Sequence, residues 1–220
     1  RQYGPEQWCI YRGKHLMNFV DNHDVTRIAS ILTNKNHLPL TYGLLFGMPG
    51  IPCIYYGSEW GEEGVKAPDN DYALRPCFDS PKPNELTDFI KKLIAIRRTS
   101  DALCNGIYRN VVITNHPLVF ERKPDSESIL VAINASYSEF NASNGELHGS
   151  YIELLSQDTA SGAAAKDSSG ASDEETADPS AADTPQAESA AADHSPSQTQ
   201  ITLNGQLVLP PYSVQYLKSV

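Results

Sequence analysis

The sequence predicts two architectures in tandem, a parallel α/β unit over residues 1–105 and an all-β antiparallel sandwich over residues 106–220. Three observations carry this. Before residue 105, short β-rich runs alternate with apolar residues at helical spacing. From Ile107 onward, strand-sized runs follow one another with turn residues between them. With one acidic stretch set aside, the remaining chain is apolar enough to bury a core.

The first strand is predicted over His15–Val20, ending in the polar cluster Asp21-Asn-His-Asp24. Val25–Leu32 follows as a helix, with Ile28, Ile31 and Leu32 on one face. Leu38–Met48 continues as an apolar helix stopped by Pro49-Gly50. Ile51–Tyr56 has the flat β-rich pattern of a parallel strand covered on both faces. Gly57–Pro83, dense in Gly, Pro, Asp and Asn, reads as loop. Asn84 is placed to cap a helix over Glu85–Arg98, whose stripe is Leu86, Phe89, Ile90, Leu93, Ile94 and Ile96. Arg97 and Arg98 then suit the negative end of its dipole. The sandwich strands are expected at Ile107–Thr114, Leu118–Arg122, Ile129–Asn134, Glu146–Leu155, Ile201–Leu209 and Ser213–Leu217.

Charge is unevenly distributed. The formal net charge is −10, yet Asp158 to Gln200 holds nine acidic residues and one Lys, leaving only −2 for the other 177 residues. That stretch has Ala but no larger apolar side chain, too little to offset the entropy of ordering it. Residues 157–200 are therefore expected to form a disordered insertion, which the sandwich closes around at small entropic cost. The acidic balance argues against nucleic acid and anionic membrane surfaces as partners. The uncharged run Leu38–Gly57 is unsuited to spanning a membrane because Pro39, Pro49 and Pro52 interrupt it. Cys9, Cys53, Cys77 and Cys104 form no C-x-x-C pair and read as reduced, mostly buried thiols. No metal-ligand spacing is found around His15, His37, His116, His148 or His194. Arg1 opens the sequence without a signal-peptide pattern, and reduced thiols lean toward the cytoplasm.

The cluster at the end of the first strand carries the chemistry. In a parallel α/β architecture, the C-terminal ends of strands are where sites form. Asn22, His23 and Asp24 offer donors, an acceptor and a negative charge there. A polar turn with Asn22 or Asp24 capping the next helix explains the same residues.

Phe19-x-x-Asn-His-Asp24 resembles a signature block of the alpha-amylase family of retaining glycoside hydrolases, at the end of barrel strand seven. Gly47-Met-Pro-Gly-Ile-Pro52 and Ile54-Tyr-Tyr-Gly-Ser-Glu59 are similar to the family's eighth-strand segment. Leu93-Ile-Ala-Ile-Arg-Arg98 resembles its last barrel helix. The nearest subgroup is the cyclomaltodextrinase, neopullulanase and maltogenic-amylase type. The resemblance implies the last two βα units of a TIM (β/α)8 barrel followed by the sandwich. It implies an alpha-glucan as partner, with alpha-1,4 and alpha-1,6 linkages in maltodextrin, cyclodextrin, pullulan or starch as substrates, and leaves a homodimer open.

By motif match, Asp24 is the carboxylate that stabilises the transition state in the −1 subsite, and His23, with Asn22, contacts the same sugar. Asp71 and Arg75 match a donor-side Asp-x-x-x-Arg element, although Asn70-Asp-Tyr departs from its usual neighbourhood. Trp60 is a candidate for stacking on a sugar ring, or for packing on the barrel rim. No segment matches the earlier strands that bear the nucleophile and acid/base, so the chain reads as a C-terminal portion, inactive alone. No cofactor is expected in it, and family calcium sites would lie upstream. The alternative is a non-catalytic scaffold that binds carbohydrate or a partner. His23 and Asp24 together weigh against that.

Overall fold

A computed structural model describes residue 4 and residues 6–124, 127–158 and 199–220. The expected insertion lies outside the described residues, apart from its edges in the strands β6 and β7 below.

The first part holds strand β1 (Met17–Asn18), helices α1 (Ile28–Ile31) and α2 (His37–Gly47), strand β2 (Ile51–Pro52) and helix α3 (Glu85–Arg98). β1 and β2 pair in parallel, Met17 opposite Ile51. The order strand, helix, strand, helix is as expected, but the strands and α1 are shorter than the sequence pattern suggested. Met17 and Ile51 are exposed, and so short a pair gains ladder bonds over only two residues. Gly50 makes the sharp entry into β2. Its φ is +104°, and a Cβ there would lie 2.4 Å from the Leu16 carbonyl oxygen.

Helix α2 buries Leu38, Leu40, Tyr42, Leu45 and Phe46, residues from all around its axis. A helix enclosed on every side needs no polar face, which is why its sequence lacks a stripe. α3 is amphipathic, burying Phe89, Ile90 and Leu93. Asn84 accepts from the Thr87 backbone N–H at 3.2 Å, and the Thr87 hydroxyl accepts from the Asn84 N–H, a reciprocal cap. Ile94, expected in the buried stripe, is exposed. Arg97, expected to complement the dipole of its own helix, is buried and donates to the carbonyls of Phe46, Met48 and Gly50, at and just beyond the end of α2.

After the short helix α4 (Asp101–Asn105) come β3 (Ile107–Ile113), β4 (Pro117–Lys123), β5 (Ile129–Asn134), β6 (Phe140–Asp158), β7 (Gln200–Leu209) and β8 (Ser213–Ser219). They form one antiparallel sheet ordered β3-β4-β5-β8-β6-β7. The expected sandwich of two sheets is thus replaced by a single curled sheet. Register irregularities accompany the curl: β3 against β4 shifts between Asn110 and Val112, β6 against β8 shifts between Glu153 and Leu155, and β6 against β7 jumps between Ser143 and His148. There Asn144 donates to the Val111 carbonyl of β3, and Arg109 of β3 bridges Glu121 and Glu146. The concave side holds its own core of Val119, Leu130, Ala132, Leu147, Leu207 and Leu217. The convex side packs Phe120, Val131, Val214 and Tyr216 against α2 and α3. Covered on both faces, β5 is buried at every residue.

The four cysteines are free thiols, but only Cys9 is buried and Cys77 is exposed, so the expectation of mostly buried thiols does not hold. No helix among the described residues is long and apolar enough to cross a membrane.

Candidate active site

The site grows out of the two segments that follow the parallel strands. Asp21, just beyond β1, is 1% exposed. Its carboxylate accepts from the Ser58 hydroxyl at 2.9 Å and from the Ile28 backbone N–H at 2.9 Å. One buried acid thereby caps the start of α1 and fixes the loop after β2. Arg27, wholly buried, extends the frame. Its guanidinium donates to the carbonyls of Tyr56 at 2.6 Å and Leu74 at 2.8 Å and to the Ser58 hydroxyl at 3.1 Å. It also lies over the Tyr55 ring, 4.3 Å from the centroid. The Tyr42 hydroxyl donates to the Ser58 carbonyl at 2.9 Å. Burial, reinforced by the Asp21 charge, pushes the Tyr42 phenol far above its ordinary range, so it stays a donor.

On this frame the chain turns outward. The Asn22 side-chain oxygen accepts from the Asp24 backbone N–H at 2.8 Å, a local turn that projects His23 and Asp24 into solvent. His23 Nε2 lies 3.3 Å from Asp24 Oδ2. Arg75 Nη2 lies 3.6 Å from Asp24 Oδ1 and 3.3 Å from Asp71 Oδ2, and it donates to the His23 carbonyl. Lys66 Nζ donates to the Asp24 carbonyl at 2.6 Å. The Asp24 side chain is 60% exposed. Two stretches about fifty residues apart in sequence thus converge on one carboxylate, with a guanidinium bridging its partners.

Of the residues singled out in the sequence, His23, Asp24, Asp71 and Arg75 come together. Asn22 belongs to the cluster through its turn. Trp60 does not join it. Its ring packs edge-on against Phe78 at 5.1 Å, and its Nε1 donates to Glu62. Between them runs a row of rings in contact: His23, Tyr55, Tyr56, Phe78 and Trp60. Burial, then the Tyr56 hydroxyl, raises the Tyr55 phenol. Sequence reasoning missed Arg27, Ser58 and the framing role of Asp21. The available signal was a lone cation opening an apolar helix directly after an acidic cluster. Among the described residues no group of three His, Cys, Asp or Glu is placed to hold a metal ion.

Chemically, the cluster presents a carboxylate at the rim of a strand end, oriented by an imidazole and a guanidinium and open to a ligand. Residues 6–76 match the family model described as alpha amylase, catalytic domain. Over those residues the chain is similar to that catalytic domain. The chain is 29% identical over 143 residues to a cyclomaltodextrin glucanotransferase of Niallia circulans, covering 63% of this chain and 20% of the relative. It is 32% identical over 150 residues to alpha-amylase 2 of Dictyoglomus thermophilum, covering 64% of this chain and 25% of the relative. The match thus spans a fifth to a quarter of the length of these relatives. In fold, the chain resembles an Anoxybacillus alpha-amylase, with a TM-score of 0.63 at 22% identity over 93% of this chain and 38% of that one. It also resembles the alpha-amylase of Geobacillus thermoleovorans complexed with acarbose, with a TM-score of 0.65 at 19% identity over 93% and 38%.

Proposed function

We propose that this chain supplies the transition-state-stabilising carboxylate and the donor-side sugar contacts of an alpha-glucan-active glycosidase working by a retaining mechanism. The observation that carries the reading is the bridge from Arg75 to both Asp24 and Asp71, which unites the two motif-matched elements around one carboxylate. In a retaining mechanism a nucleophile and an acid/base carboxyl flank the scissile bond about 5–5.5 Å apart, and positive charge develops on the sugar ring. A third, fixed carboxylate beside that ring stabilises the charge as it forms, because its orientation is settled before the reaction begins. Asp24 takes this role, with the nucleophile and acid/base supplied by the family's earlier barrel strands. His23 and Asn22 bind the same sugar, and Asp71 and Arg75 bind the next sugars on the donor side. Trp60, packed on Phe78, belongs to the barrel rim in this reading.

The reading predicts that Asp24→Asn in the intact enzyme lowers kcat on maltodextrin by about 10²–10³. Circular dichroism should be unchanged, because the side chain is mostly in solvent. Turnover near the wild-type value would remove Asp24 from the mechanism. Assays of cyclodextrin, pullulan and starch side by side, with products resolved into linear and cyclic glucans, separate hydrolysis from glucanotransfer. They also test the cyclomaltodextrinase-like subgroup.

A further inference from the structure

At the opposite ends of β1 and β2 from Asp24 lies a pocket of about 280 Å³. It sits where the segment before β1 meets α4 and the start of β3. Its lining includes Arg12, Lys14, His15 and Arg122 and, among the described residues, no Asp or Glu; Asp101 lies beside it, accepting from the lining Asn105 at 2.6 Å. Arg12 and Lys14 are exposed and make no ion pair among the described residues. Behind them the excess of positive charge deepens. Arg97 and Arg122 are 6% and 1% exposed. Among the described residues both donate only to carbonyls: Arg97 to Phe46, Met48 and Gly50, Arg122 to Gly47 and Gly106.

Carbonyl oxygens satisfy the directional bonds of a guanidinium without cancelling its charge. The C-terminal end of α2 contributes roughly half a negative charge, against two whole positive ones. Burial and the neighbouring Arg97 pull Arg122 down to about 10, still protonated at neutral pH. Arg122 spends three of its five N–H groups on carbonyls, and it lines the pocket. A planar guanidinium backed by two flexible cations suits a multi-oxygen anion. The volume is near the lower bound for small-metabolite sites, at about 300 Å³, and too small for a polymer.

We propose that this pocket binds a phosphate-type oxyanion, free or carried on a sugar, held by Arg12, Lys14 and Arg122. The proposal is independent of the glucan reading, since it involves no residue of the Asp24 cluster. The test is calorimetric titration of the full-length protein with inorganic phosphate and with glucose 6-phosphate, at ionic strength fixed by sodium chloride. Wild-type protein should bind at least one with a millimolar or tighter Kd, and R12Q/K14Q should bind it at least tenfold more weakly. Both substituted residues are exposed, so the melting temperature of the variant should stay close to that of wild type. Tighter binding of glucose 6-phosphate identifies a sugar-borne anion, and equal binding identifies the free oxyanion. Absence of binding above the chloride background, or wild-type affinity in R12Q/K14Q, overturns the proposal.

Discussion

Glycines 43 and 47 lie one turn apart on the side of α2 that meets the convex face of the sheet, and replacing either by alanine sets two effects of opposite sign against each other. By helix propensity alone, Gly→Ala stabilises by about 0.5–1 kcal/mol. The structure opposes this. A Cβ on Gly47 would lie 2.9 Å from Phe120 Cζ, 3.1 Å from Val131 Cγ1 and 3.2 Å from Tyr216 Oη. All three neighbours are completely buried, and the Tyr216 hydroxyl is held by the Gly43 carbonyl. On Gly43 the Cβ would lie 2.8 Å from Cγ2 of buried Val214, whose branched side chain has few rotamers to escape into. Overpacking of this kind costs about 1–3 kcal/mol. Since no neighbour of Gly47 is free to move, the upper half of that range applies, and a net loss of about 1–2.5 kcal/mol remains. At this chain length each kcal/mol lowers Tm by about 2–4 °C. Thermal melts and urea titrations of Gly43→Ala and Gly47→Ala should show lower midpoints with unchanged urea m-values. A variant that melts above wild type would mean that propensity dominates, and that α2 does not approach the sheet this closely.

Removing the buried acid by Asp21→Ala strands the Ser58 hydroxyl and the Ile28 N–H beside the buried Arg27 cation. A loss of about 3 kcal/mol or more is expected in urea unfolding, and a loss below 1 kcal/mol would refute the framing role. Arg75→Ala breaks solvent-exposed ion pairs and one exposed hydrogen bond to the His23 carbonyl, so stability should change by less than about 1 kcal/mol. In the intact enzyme the same substitution should raise KM for maltodextrins several-fold, and an unchanged KM would exclude Arg75 from sugar binding. Glu127 accepts from Lys218, from the Ala102 backbone N–H and from the Ser100 hydroxyl. These contacts, Lys218 foremost, hold its carboxyl below the usual range. A depressed folded-state pKa stabilises the fold above the unfolded pKa, and this is lost as pH falls through the folded value. Glu127→Gln should therefore cost stability at pH 7 and make the acid limb below about pH 4.5 shallower, as read by thermal melts across pH.

The helices α2 and α3 and the strand β5 were legible because each is specified locally. Asn84 and Thr87 cap α3 from within a single turn, and Pro49-Gly50 ends α2 whatever surrounds it. The curl of the large sheet was not legible. It depends on Arg109 meeting Glu121 and Glu146 across the sheet and on the irregular stretch 144–147 of β6, where a sequence of small and polar residues reads as a turn. Arg97 shows the same limit. Its place at a helix C-terminus suggested a partner for the dipole of its own helix, whereas it turns inward and binds carbonyls at and just beyond the end of α2. At the site, Asp24 and His23 stand out in the sequence because their motif is contiguous. The union of Asp71 and Arg75 with them required the long loop to fold back, and the tie responsible for that, from Arg27 to the Leu74 carbonyl, spans forty-seven residues.

That tie explains an otherwise odd division of labour. The motif-matched residues His23, Asp24, Asp71 and Arg75 are mostly exposed, and their mutual ion pairs are too weak in water to fix a geometry. The residues that fix it, Asp21, Arg27 and Ser58, are buried. Asp21 and Arg27 are not paired directly; the Ser58 hydroxyl stands between them, donating to the carboxylate and accepting from the guanidinium. Through this one side chain the turn after β1, the loop after β2 and the turn before Arg75 become parts of a single rigid unit. The positions of Asp24 and Arg75 are then set from below, and the Asp24 carboxylate keeps an open side toward solvent. A site assembled from loops attains the precision of one built on strands because its loops share a buried, charged support.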